Sequence, residues 1–176
     1  MSILSRDMWD ASTPPPNNPP GFQAAAGYIG GNTPHVWTRA EWQRLGKLAK
    51  LPIWVRSNPT TAGQGHAEAF VALEQLYAIG CPPGHAVALD LETAVDPAYV
   101  TAFGAVMRWA GFYVWVYGSR SSVFGNPHLD GYWVADYTGS PHFPPGPAVR
   151  ACQWQAGTLI DRSVVKWWSW RNRLWR

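Results

Sequence analysis

Asp90 and Glu92 stand two positions apart, at the end of the apolar run Ala86-Val87-Ala88-Leu89. Such a run predicts a strand buried on both faces, as a parallel strand covered by helices is. Strand side chains alternate, so both carboxylates point to one side, with Cα atoms ~6.5 Å apart. Asp96-Pro97 then opens a helical pattern, which sets the pair at the strand's C-terminal end. That is the end where β/α folds carry their chemistry. Two acids held together raise each other's proton affinity and burial adds to the effect, so one can stay protonated near neutral pH. The plainer alternative is that Asp90 caps the next helix and Glu92 is a solvated strand end.

Two further acids close predicted strands: Asp10 the first (Ile3–Asp10) and Asp161 the last (Leu159–Asp161). In a closed barrel the first and last strands are neighbours. Asp10, Asp90, Glu92 and Asp161 would then converge on one rim, ringed by Tyr28, Tyr117, Trp133, Tyr137 and Trp154. An aromatic-walled acid cleft suits glycosidic chemistry: one acid protonates the leaving oxygen, and another stabilises the oxocarbenium-like centre or positions its helper. The same acids could bind a divalent cation, but no Asp/Asn-Gly loop supplies further oxygen ligands. No metal and no cofactor are expected. His35, His66, His85, His128 and His142 fall in loops or at helix starts without ligand spacing, and Tyr117-Gly118-Ser119-Arg120-Ser121 lacks a GxSxG elbow.

The elements that must position these residues follow from periodicity and breakers. Strands are predicted at Ala24–Ile29, Leu51–Val55, Phe112–Tyr117, Trp133–Asp136 and Val149–Trp154, besides the three above. Thr13–Pro20 carries five prolines and can be neither helix nor ladder. Thr38-Arg39-Ala40-Glu41 has the form of a capping box. Asn58–Gly65 reads as loop and Ala67–Ile79 as a helix with Phe70, Leu73, Leu76 and Tyr77 on its apolar side. Asp96 and Pro97 start a helix running to Ala110. Connections after Gly118 are too short or too proline-rich for crossover helices, which predicts a mixed or antiparallel last third. Eight strands in 176 residues, against the ~250 of a full (β/α)₈ barrel, give an α/β fold: a shortened TIM-like barrel, single domain, over 1–162.

An apolar fraction of 47 % with 14 % charged residues excludes a disordered chain. Lys166, Arg171, Arg173 and Arg176 place +4 in a Trp/Arg-rich tail, residues 163–176; the chain's net +3 then leaves the body at −1. A near-neutral body argues against nucleic acid as the main partner. The tail suits membrane-surface contact, wall binding or docking on a virion or other protein. The plainer alternative is a helix that packs under its own barrel, arginine stems over aromatic surface. Cys81 and Cys152 read as free thiols. No stretch reaches the length of a membrane span, and Met1–Asp10 has no secretory signal pattern. If the protein works outside a cell, something other than a signal peptide must take it there.

Several short motifs, in this order and spacing, resemble glycoside hydrolase family 25, the barrel-shaped muramidases. They are Asp-Leu-Glu at 90–92, Val-Tyr-Gly at 116–118, Trp-Val-Ala-Asp-Tyr at 133–137, and Gln-Trp-Gln at 153–155 followed by Asp161. Gly27-Tyr28-Ile29-Gly30-Gly31 and the general layout look similar to the related actinobacterial glycoside-hydrolase-like domain (domain of unknown function 1906). The resemblance implies a (β/α)₅β₃ barrel and cleavage of the peptidoglycan backbone. It implies Glu92 as general acid, Asp90 orienting the substrate acetamido group or the nucleophile, and Asp10 and Asp161 completing the cleft. The expected activity is therefore lysozyme-type, on bacterial cell-wall peptidoglycan. The alternative is a catalytically inactive glycan-binding or phage virion module that uses the barrel as scaffold and docks through its tail.

Overall fold

Alternation of side chains between two buried clusters sets up the two faces of the central strands. In β4 (Ala86–Asp90), Ala86 and Ala88 belong to one buried cluster while Val87 and Leu89 belong to another. The first cluster is the barrel interior and the second lies between barrel and helices. The computed structural model describes residues 4–58, 60–91, 96–126, 129–146 and 148–176, and in it eight strands close in sequence order. They are β1 (Ser5–Asp10), β2 (Ala24–Gly31), β3 (Ala49–Val55), β4, β5 (Tyr113–Ser119), β6 (Gly131–Ala135), β7 (Val149–Gln155) and β8 (Asp161–Lys166). Strands β1 to β7 run parallel, and β8 is antiparallel to both β7 and β1.

The helices are α1 (Arg39–Arg44), α2 (Ala62–Ile79), α3 (Pro97–Trp109), α4 (Arg120–Phe124) and α5 (Trp167–Arg173). Thr38 and Glu41 form the expected capping box, and Asp96 caps α3 with Pro97 just inside it. Helix α2 starts earlier than its glycines suggest, capped by Thr61. Gly65 is there because a Cβ would stand 2.4 Å from the Tyr99 carbonyl oxygen, where α2 crosses α3. Phe70 and Tyr77 lie outside the buried face of α2, which is carried by Ala69, Ala72, Leu73, Leu76 and Ile79. The last third is mixed, as its connections predict: β5–β6 and β6–β7 are parallel, β7–β8 is antiparallel, and the described residues between β6 and β7 hold no helix.

Alanines on the interior faces of β2, β3, β4 and β7 leave room for Trp115, Tyr117 and Trp133, which fill the barrel. Outside it, the Trp9, Trp37 and Trp42 rings follow one another at 5.7 and 5.1 Å between centroids. The tail closes the bottom. Leu174 is 2 % exposed within the interior cluster, and Trp175 exchanges backbone hydrogen bonds with Lys50 at the start of β3. Arg173 lies 3.6 Å over the Tyr113 ring and Arg176 4.4 Å over Trp170. Among the described residues, no helix is long and apolar enough to cross a membrane.

Candidate active site at the C-terminal rim

The C-terminal ends of the parallel strands gather the acids. Asp10 ends β1, and its register partners are Ala26 on β2 and Asp161 on β8. Directly opposed residues on antiparallel strands have Cα atoms roughly 4.5–5.5 Å apart, so these two acids are neighbours. Asp161 reaches the rim as the first residue of an antiparallel strand, not as the last of Leu159–Asp161. It also accepts a 2.8 Å hydrogen bond from the Gly157 amide, which ties the β7–β8 loop down beside it.

Asp90 ends β4 in register with Val55 on one side and Tyr117 on the other. It is 2 % exposed and Asp10 4 %. Burial pushes the Asp10 carboxyl well above the usual carboxylate range, and the charges of Asp161 and Asp90 push it further. Asp10 Oδ1 has no hydrogen-bond partner among the described residues. Asp90 and Asp161 are thus each within electrostatic reach of Asp10. Glu92 lies outside the described residues.

Two hollows of about 150 Å³ each open at this rim. One is lined by Asp10, Ser12, Tyr28, the 157–160 loop and Asp161; the other by Ser12, Tyr28, Asn32, Thr33, Pro34, Val55 and Asp90. Tyr28 and Ser12 belong to both, so the half-buried Tyr28 ring stands where they adjoin. The backbone closes tightly beneath it: Gly31 has φ +83°, and a Cβ there would meet the Val55 carbonyl oxygen at 1.6 Å.

The other aromatic positions divide. Tyr117 is buried at the level of Asp90, and its hydroxyl donates to Gln153 Oε1. Tyr137, 59 % exposed, donates to the same oxygen at 3.3 Å. Burial first, then the charge of Asp10, pushes the Tyr117 phenol well up, so it stays a neutral donor. The expected stacking face at Trp133 is not there. Trp133 is 1 % exposed inside the barrel, 4.5 Å from the Tyr117 ring, with Nε1 donating to Ser163 Oγ at 3.1 Å. Trp154 is also displaced from the expected ring of aromatics. It follows Gln153 by one residue, so it faces out of the barrel, over a flank hollow with Phe22, Pro141 and Arg162.

Gln153, fully buried and fixed by two tyrosines, is the site residue that the motif reading passed over in favour of its neighbour. The signal was available: Ala151 and Gln153 share the interior phase that Ala86, Ala88 and Asp90 show on β4. Among the described residues, no group of three His, Cys, Asp or Glu side chains is arranged to hold a metal ion.

No family model matches this sequence, and no curated protein does. Solved structures do match it. An uncharacterized B. stearothermophilus protein superposes with TM-score 0.78 at 16 % identity, over 97 % of this chain and 100 % of that one. GHIP, a glycosyl hydrolase 25 of Streptococcus pneumoniae, gives TM-score 0.67 at 12 % identity, over 91 % and 86 %. The modular autolysin LytC of S. pneumoniae, solved with a synthetic peptidoglycan ligand, gives 0.66 at 13 %, over 91 % of this chain and 46 % of that one. At such identities the likeness shows the fold alone, a single-domain closed barrel of eight strands with helices outside it.

Proposed function

We propose that the protein is a peptidoglycan-directed glycosidase of muramidase type, with Glu92 as general acid and Asp90 assisting it. One observation carries the reading: carboxylates from β1, β4 and β8, remote in sequence, meet at one barrel rim beside a tyrosine-divided hollow. Glu92 follows Asp90 by two residues, which suits a proton donor at the same rim. Asp10, held toward its protonated form, offers a hydrogen bond to the substrate or to a neighbouring carboxylate. Asp161, half-buried beside the first hollow, supplies negative charge to a developing oxocarbenium centre. The Tyr28 ring offers a face for a pyranose. The fold neighbours that act on or bind peptidoglycan support the choice of glycan.

Turbidity of purified cell walls tests it. Wild type should clear them, while Glu92→Gln and Asp90→Asn should slow clearing by about 10²-fold or more, as loss of a general acid or its partner does. Walls that stay turbid but sediment with bound protein would instead assign a non-catalytic glycan-binding module.

A further inference from the structure

We propose that the end of the barrel opposite the acids docks on an anionic lipid surface. This inference stands apart from the glycosidase reading, since it uses none of the rim residues. Four large apolar side chains are left in water at the N-terminal end of the strands: Leu4 (66 % exposed), Tyr77 (53 %), Trp109 (81 %) and Trp168 (51 %). Their placement follows from the chain path. Leu4 precedes β1 and accepts a hydrogen bond from the Trp167 amide; Tyr77 and Trp109 lie in the last turns of α2 and α3, which lead into β4 and β5. Trp168 is in the tail helix itself.

Cations surround them. Arg171 and Arg176 are exposed in the tail, each with its guanidinium over an indole, at 5.2 Å from Trp167 and 4.4 Å from Trp170. Two hollows flank the tail. One, about 260 Å³, is lined by Tyr113, Arg150, Trp168 and Arg173; its one carboxylate, Asp130, is already held by Arg108 at 3.1 Å. The other, about 290 Å³, is lined by Arg39, Trp175, Arg176 and the buried Lys50, whose amine is held by the Gly46 and Leu48 carbonyls, with no carboxylate among the described residues. Positive hollows of this size can receive phosphate headgroups. A purely ionic polymer would gain nothing from Leu4, Tyr77 and Trp109, whereas indoles and arginines together match the bilayer interface, where both ring and charge are satisfied. Docked this way, the acid rim faces away from the membrane.

The test is co-sedimentation of the full chain with vesicles of phosphatidylglycerol or of phosphatidylcholine. Expected is binding to the anionic vesicles at low salt, weakened by raised salt, with little binding to the neutral ones. Arg171→Gln with Arg176→Gln should weaken binding about 30-fold, from the typical contribution of two surface cations. Trp109→Ala, at a site too exposed to disturb folding, should weaken it about tenfold through lost apolar insertion. Asp10→Asn should bind as wild type does. Equal binding to both lipids, or to neither, overturns the proposal. So does binding to soluble polyphosphate without vesicle binding, which would assign a phosphate polymer. Wall clearing on purified glycan is measured separately, so either reading can fail alone.

Discussion

The two ends of this barrel treat charge in opposite ways. At the C-terminal rim, Asp10 and Asp90 are packed out of water, Asp161 stands beside Asp10, and the Asp10 carboxyl is driven toward its neutral form. At the N-terminal floor, arginines stay at the surface and lie across indole faces. A buried charge changes its proton affinity and becomes reactive, while a solvated one keeps its charge and serves as an attractive surface. The same strands therefore end in buried acids above and in solvated arginines over indoles below.

The largest expected effect on that contrast is on activity. If the rim is catalytic, Asp10→Asn lowers wall clearing by about 10²-fold, measured on purified walls with the fold checked by circular dichroism. Clearing at the wild-type rate would leave the rim a mere cluster of acids. Next comes the floor as structure: Leu174→Ala should cost about 2–4 kcal/mol in urea melts, the usual loss for a leucine from a packed interior. A negligible loss would mean that the tail is appended to the barrel and does not close it.

The third prediction reverses the sign. An acid whose folded proton affinity is raised weakens the fold as pH climbs from its unfolded value, about 4, through the folded one. Asn cannot ionise. Asp10→Asn should therefore melt several degrees above wild type at pH 7 and alongside it at pH 3. A lower melting point at pH 7 would show the ionised carboxylate to be the favoured native form. The smallest effect belongs to the floor: Arg171→Gln, exposed over Trp167, should shift stability by less than about 0.5 kcal/mol in either direction.

Much of this was legible in the residues. The apolar run of β4 ending in Asp90, the Thr38–Glu41 capping box and the Asp96-Pro97 helix start depend on neighbours in sequence, and each takes its expected place. Asp161 was found at the rim for a reason that differs from strand exit, because strand direction is a tertiary property. Trp133 takes the interior face but is packed too deep to stack a sugar. Trp154 takes the outer face, since aromatic type does not reveal which face a residue occupies. Only the phase of small neighbours such as Ala151 does that, and it points to Gln153 instead. A mixed last third follows from the short, proline-rich connections, but which pairs are parallel does not: β6 pairs parallel with β7 because a crossover needs length and not a helix. Phe70 and Tyr77 fit a helical stripe yet lie in solvent, since the partner surface decides how wide a stripe is covered.

The backbone bridge between Lys50 and Trp175 has a consequence for how the molecule is made. A strand laid down in the first third of synthesis receives its lower seal from residues translated more than a hundred positions later, and β1 waits longer still for β8. A ribosome-bound intermediate would hold an alanine-lined trough open along its whole length. Slow, late closure of that kind favours chaperone capture during translation, and a chain halted before Trp175 would leave the trough unsealed.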